Sequence, residues 1–276
     1  MINSKFSLVL SGGGALGFAH MGIIEDLYEN NLKPAEIIGT SMGGLIGSLL
    51  AIGLNYDEIE KKFRNLSGMQ KWISFSFSSE TLISLEKLEK MLLNTFGDMR
   101  ISDTKIPLKL IATDFQTGEK VVFSRENDVK IIDGVLSTIA IPGLFPPRVI
   151  NENIYIDGFC CENLGITQTS HDIILASDVV GQRSFKANHN PKTFKIQNLV
   201  DNFEKTMRIM ISNQTQQNLQ LLNDRNVFLC EINTRNFRTF QFKKYDKIKK
   251  TGKNEINEFL RFMKKDYNND SSNLNP

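Results

Sequence analysis

Histidine is scarce in this chain, with His20, His171 and His189 the only three in 276 residues. Cysteine is equally scarce, and Cys160, Cys161 and Cys230 form no CxxC pair. That spacing excludes a disulfide framework and the usual zinc patterns. No metal and no cofactor is expected. Charge of one sign is not in excess, since 33 Lys+Arg stand against 31 Asp+Glu for a net +2. Nothing in that balance favours nucleic acid as a partner. With 41% hydrophobic residues and seven Pro, the composition also excludes collagen-like and disordered classes. Residues 1–6 carry no apolar run behind basic residues, so a secretory signal is not expected. Together with the unpaired thiols this predicts a reducing, cytoplasmic setting.

Charge is also missing locally. Ile37 to Tyr56 contains none, and an uncharged run of that length is a candidate membrane span. Gly39, Ser41 and Gly43 punctuate it, however. The helix left over, Met42 to Gly53, reaches only ~18 Å at 1.5 Å per residue, against a bilayer core of ~30 Å. A buried strand, a turn and a buried helix is the better reading.

What is present is an alternation of strands and helices. Phe6 to Leu10 is a short apolar run, and Phe18 to Glu29 carries Met21, Ile24, Leu27 and Tyr28 at helical spacing. Glu36 to Ile38 reads as a second strand, followed by a helix after Ser41 and an amphipathic helix over Tyr56 to Leu66. Further along, a helix is predicted over Ser84 to Phe96 and paired strands over Leu108 to Thr113 and Val121 to Ser124. Asp133 to Ile141 reads as a helix stopped by Pro142, and Arg148 to Ile156 as a hairpin turning at Asn151. A buried strand over Asp172 to Val180, a long helix over Ile196 to Asn223 and a last strand over Val227 to Ile232 complete the pattern. Two strand–helix units near the start predict an α/β fold with a parallel sheet. Residues 1–267 are expected to form a single domain and 268–276 a disordered polar tail.

Three short segments carry chemistry. Gly39-Thr40-Ser41-Met42-Gly43 joins an apolar strand to an apolar helix, the context of a nucleophile elbow. There the serine stands at the positive end of a helix, where negative charge developing on oxygen is favoured. The plainer alternative is a strand–helix turn with Ser41 as N-cap. Gly44, Gly47, Ser48 and Ala51 continue as a strip of small residues, which lets the helix sit close to the sheet. Ser11-Gly12-Gly13-Gly14-Ala15-Leu16-Gly17 can turn backbone N–H groups into an anion-binding concavity. Gly12, Gly14 and Gly17 also satisfy the dinucleotide pattern, yet the next strand runs into Gly39-Thr40-Ser41 without the acid that would hold a ribose.

Asp157 ends the run Asn153 to Ile156 and precedes Gly158. It is either a base for Ser41 or an Asp-Gly turn cap, the commoner fate of that pair. A triad of Ser41, Asp157 and His171 can be drawn. His20 reads as a packing residue and His189 as solvated. Two segments suggest lipid contact: the aromatic stretch from Trp72 to Phe77, and Lys243 to Lys253 with six Lys. The plain alternatives are core packing and a solvated helix face.

In this order and spacing the segments resemble the patatin-like phospholipase family of acyl hydrolases. The resemblance rests on Leu8 to Gly22, on Gly39-Thr40-Ser41-Met42-Gly43-Gly44, on Ile111-Ala112-Thr113-Asp114, on Ala140 to Pro147 and on Tyr155-Ile156-Asp157-Gly158. It implies a three-layer sandwich around a mostly parallel central sheet. It also implies a Ser–Asp dyad, with Ser41 as nucleophile, Asp157 as base and Gly12, Gly13 and Gly14 as oxyanion donors. No histidine is then needed. The implied partners are a phospholipid or lysophospholipid and a membrane surface met peripherally, and a homo-oligomer is compatible with the sequence. Two positions depart from the family: Leu16 where Arg or Lys is frequent, and Phe159 where Gly or Ala is. Those departures motivate a second reading on the same fold, a lipid-binding scaffold with weak turnover. The third is a nucleotide-binding protein using the glycine loop.

Overall fold

Phe6 to Leu10 is apolar on both faces, the pattern of a strand buried in mid-sheet. In the computed structural model, which describes residues 4–67, 86–185, 199–222 and 224–272, β1 (Phe6–Leu10) occupies that place. Parallel to it on either side run β2 (Glu36–Thr40) and β7 (Ile173–Asp178). β3 (Leu108–Asp114) extends the sheet beyond β2, and β8 (Asn226–Glu231) extends it beyond β7, both again parallel. β4 (Lys120–Phe123) and β6 (Asn153–Asp157) pair antiparallel with β3, and β5 (Arg148–Ile150) with β6. The order is β5-β6-β3-β2-β1-β7-β8, with β4 against β3. The sheet is mixed and mostly parallel.

Side-chain alternation along β1 divides the interior in two. Leu8 and Leu10 join the larger core beneath α1 (His20–Glu29), α2 (Ser41–Ala51), α3 (Tyr56–Ser67), α4 (Glu86–Phe96) and α5 (Ile131–Thr138). Val9 joins Ile38, Ile111, Ile174, Leu164 and Ile166 on the other face, where the end of α6 (Leu199–Leu219) brings Leu219. Helix, sheet and helix make three layers, as the resemblance implies. The C-terminal helices α7 (Tyr245–Gly252) and α8 (Asn257–Ser272) lie on the larger core. Phe18 meets Phe63, Phe242 and Tyr245 edge-on, with ring centres 4.9–5.8 Å apart. Each such pair is worth ~0.5–1.5 kcal/mol beyond area burial, so the C-terminal segment braces the turn that follows the glycines.

Several boundaries differ from the sequence reading. Gly14–Ala19 is a 3-10 turn before α1 begins at His20. α5 ends at Thr138 rather than Ile141, in keeping with the steric bias of residues before Pro142 away from helix. In the β5–β6 hairpin, Asn151 and Glu152 both take positive φ, 48° and 72°, as a two-residue turn matched to strand twist requires. The polar end is not wholly irregular, since α8 continues to Ser272. Extending an existing helix is far easier than nucleating one. Residues 37–51 fall in β2 and α2 and Tyr56 opens α3, and among the described residues no helix is long and apolar enough to cross a membrane. The Trp72 to Phe77 stretch and His189 lie outside the described residues.

Candidate active site

Ser41 is the first residue of α2 and has φ 52°. A non-glycine residue in that region costs of order 1–3 kcal/mol unless its surroundings impose it. They do so here from two sides. The Ser41 N–H donates to Thr138 Oγ1 at 2.8 Å, and the Thr138 hydroxyl donates in turn to the Ile111 carbonyl. Behind the serine, α2 rests on the end of β1 so closely that a Cβ on Gly43 would stand 2.3 Å from the Leu10 carbonyl oxygen. The serine is 5% exposed.

The glycine loop continues from β1, the strand beside β2. A Cβ on Gly12 would lie 3.0 Å from Ser41 Cβ and 2.5 Å from Asn163 Oδ1, so only glycine lets loop and serine touch. The loop amides are not equivalent. Gly12 N–H donates to the Asn163 carbonyl at 3.2 Å and Ala15 N–H to the Thr239 carbonyl at 2.7 Å. Between them, the N–H groups of Gly13 and Gly14 make no hydrogen bond among the described residues. The sequence reading grouped Gly12 with these two, but its amide is already engaged.

His20 sits beneath the loop, fully buried. Its Nε2 is 2.9 Å from the Ser11 carbonyl, which can only accept, so Nε2 carries the proton and Nδ1 accepts from Ser177 Oγ at 2.8 Å. Burial pushes its pKa down to about 4, which keeps the ring neutral. The packing role read from sequence becomes a more specific one: His20 anchors the loop.

Asp157 comes from the antiparallel side of the sheet. Its register partner is Ala112, while Ile111 is the partner of Thr40. One residue further along each strand, Asp157 is level with Ser41, two strands away, or ~10 Å between backbones at ~4.8 Å per strand. The side chain is 0% exposed. Oδ1 accepts from Phe159 N–H at 3.0 Å, as a turn cap would. Oδ2 has no hydrogen-bond partner of ordinary geometry. Burial pushes the carboxyl up to about 7, a rise partly offset by the nearby Ser41 hydroxyl and the Phe159 N–H, which favour the charged form. Gly158 follows because a Cβ there would fall 2.3 Å from the Ile111 carbonyl oxygen.

His171 stands elsewhere. It precedes β7 and faces Glu36 Oε1 at 3.3 Å, where β2 begins, so the length of a strand separates it from Ser41. It forms no triad with Ser41 and Asp157. Leu16, one departure from the family pattern, is fully buried in the larger core, and Phe159 is half-buried beside Asp157. Thr138, Asn163, Ser177 and Thr239 all hold the site and escaped the sequence reading. Each lies far from Ser41 in the chain and in no recognisable local pattern. No group of three or more His, Cys, Asp or Glu suited to a metal occurs among the described residues.

Comparison with known proteins adds the relatives. A family model described as patatin-like phospholipase matches residues 8–169. An uncharacterised NTE family protein of Mycobacterium tuberculosis is 30% identical over 156 residues, 56% of this chain and 42% of that protein. The lysophospholipase NTE1 of Kluyveromyces lactis is 29% identical over 181 residues, covering 62% and 12%. The chain thus spans less than half the length of either curated relative. The crystal structure of VipD from Legionella pneumophila superposes with a TM-score of 0.47 at 15% identity, over 90% of this chain and 66% of that one.

Proposed function

This chain belongs to the patatin-like phospholipase family, and from that premise we propose that it is a lipid acyl hydrolase working through a Ser41–Asp157 dyad. One observation carries the reading: a wholly buried carboxylate stands level with the serine on the strand register, and burial pushes its pKa up to about 7. A base near the working pH is what general-base catalysis needs. The positive-φ strand–helix turn at Ser41 supports its assignment as a nucleophile elbow.

In the proposed cycle Asp157 takes the proton of Ser41, whose Oγ attacks the carbonyl carbon of a lipid ester. The oxyanion is received by the N–H groups of Gly13 and Gly14, a contribution of ~3–4 kcal/mol per donor in other hydrolases. Gly12 supplies the close approach and not a donor. The tetrahedral intermediate collapses, the alcohol leaves with the proton from Asp157, and an acyl-serine remains. Water, deprotonated by the same carboxylate, then releases the fatty acid and restores Ser41. His20 stays neutral throughout and holds the loop. The substrate class is phospholipid or lysophospholipid, in line with the name of the yeast relative, and it is met at a membrane surface.

The test is turnover of a short p-nitrophenyl ester together with fluorophosphonate labelling. Ser41→Ala and Asp157→Asn are each expected to reduce hydrolysis to background, and His171→Ala to leave it within about twofold, because only the first two reach the reacting atoms. Full activity in Asp157→Asn removes the dyad. Tight NAD or ATP binding without labelling of Ser41 returns the glycine loop to the nucleotide reading. Labelling without turnover identifies a weak scaffold.

A further inference from the structure

The stretch Arg235-Asn236-Phe237-Arg238-Thr239-Phe240-Gln241-Phe242-Lys243-Lys244 holds four basic residues, three phenylalanines and no acid. Solvated loops seldom combine these. Its place in the fold is equally specific. Thr239 accepts from Ala15 N–H and packs on Gly14, so this segment caps the glycine loop. On its other side it is tied to the first turns of α6. Thr239 N–H and Oγ1 both donate to Glu204 Oε1, and Arg238 pairs with Asp201 at 2.8 Å. The two acids nearest the segment are therefore already paired. Arg235, Lys243 and, on α6, Lys205 are exposed and make no ion pair among the described residues, and Lys244 Nζ lies 5.7 Å over the Phe237 ring.

The outward face of α6 is unusual in the same direction. Phe203 is 66% exposed and Met210 60%, and Phe240 on the neighbouring segment is 41% exposed. The two acids at the start of α6, Asp201 and Glu204, are taken up by Arg238 and Arg208, and from Lys205 to the end of the helix the sequence contains no acid. Apolar side chains flanked by cations, on a segment that packs against the glycine loop, match the make-up of a surface that lies on anionic lipid.

We propose that the Arg235–Lys244 segment and the outer face of the first half of α6 form the surface on which this protein seats itself on an anionic bilayer. The apolar anchors are Phe203, Met210 and Phe240. Lys205, Arg235, Lys243 and Lys244 supply the attraction to headgroups. The inference rests on the lipid-hydrolase reading for its purpose, since it delivers the glycine loop to the interface, but not for its physical basis.

The experiment is sedimentation of the full chain with phosphatidylcholine vesicles, with and without phosphatidylserine at about one lipid in three, at about 0.1 M salt. Binding is expected with the anionic vesicles and not the neutral ones. Arg235→Glu with Lys243→Glu and Lys244→Glu is expected to weaken it at least about tenfold. Phe203→Ser with Phe240→Ser is expected to weaken it several-fold with little change in the salt dependence. Both variants should hydrolyse the soluble short ester like the parent, which also reports that they fold. Equal binding by parent and variants, or no preference for anionic vesicles, overturns the proposal. So does self-association in sedimentation velocity that the same variants abolish, which assigns the face to a second copy. Anionic-vesicle binding that the variants lose, without any ester turnover by the parent, rejects the hydrolase reading and leaves the surface standing.

Discussion

Asp157 shows how one residue is pulled between stability and chemistry. Its carboxyl rises from 3.8 to about 7 because burial opposes the charge. Between those values the folded chain holds a proton that the unfolded chain has lost. Stability therefore falls as pH rises through about 4 to 7, by roughly 4 kcal/mol at ~1.4 kcal/mol per unit. On the proposed mechanism activity runs the opposite way, since only the ionised form accepts the serine proton. We expect kcat/KM to climb with pH to a plateau above about 7, read from initial rates across pH 5–9. Asp157→Asn, inactive, should melt higher than the parent at pH 8 and near it at pH 4. A parent profile flat from pH 5 to 9 contradicts the assignment. From sequence, Asp157 read more naturally as a turn cap, and Phe159 N–H shows that it caps as well. Its level with Ser41 depends on strand pairing, which no local pattern encodes.

Local pattern serves better for elements. Apolar runs located β1, β2, β3, β7 and β8 within a residue or two, and β1, β2, β3 and β7 are buried along most of their length, which leaves few polar positions to blur them. The α7 and α8 pair was harder to see. Tyr245 and Ile248 are the buried apolar positions in a run otherwise rich in lysine, so the solvated face dominates the composition. That strip of lysines is partly structural too, with Lys249 paired to Glu25 and Glu60, and Lys253 to Asp26 and Glu29. The junction of β1 with α2 is, with the contact of Gly158 on β3, one of the two tightest near the site. Gly43→Ala places a methyl 2.3 Å from backbone oxygen, where a side chain cannot step aside. It is expected to cost about 1–3 kcal/mol in urea unfolding, as overpacking does, with a larger fractional loss of ester turnover than of folded protein at 25 °C. No change in midpoint would mean that α2 is free to shift.

At the scale of the whole molecule, the family match and the physical unit differ. The match ends at residue 169, yet β7 begins at Ile173 and pairs with β1 in the middle of the sheet. A fragment of residues 1–169 carries Ser41 and Asp157 but exposes the open edge of β1. Such an edge is prone to aggregation. The fragment is expected to show no cooperative transition by circular dichroism in urea, while the full chain does; a cooperative fragment would place the folding boundary at the end of the match.

The capping of the glycine loop by Thr239 has a bearing on biosynthesis. A ribosome releases the serine first, the carboxylate more than a hundred residues later, and the cap only with the last fifth of the chain. A nascent polypeptide therefore owns both reacting groups well before the amides of its loop are set in place. On the proposed mechanism, translation order thus withholds the oxyanion donors until the chain is nearly finished.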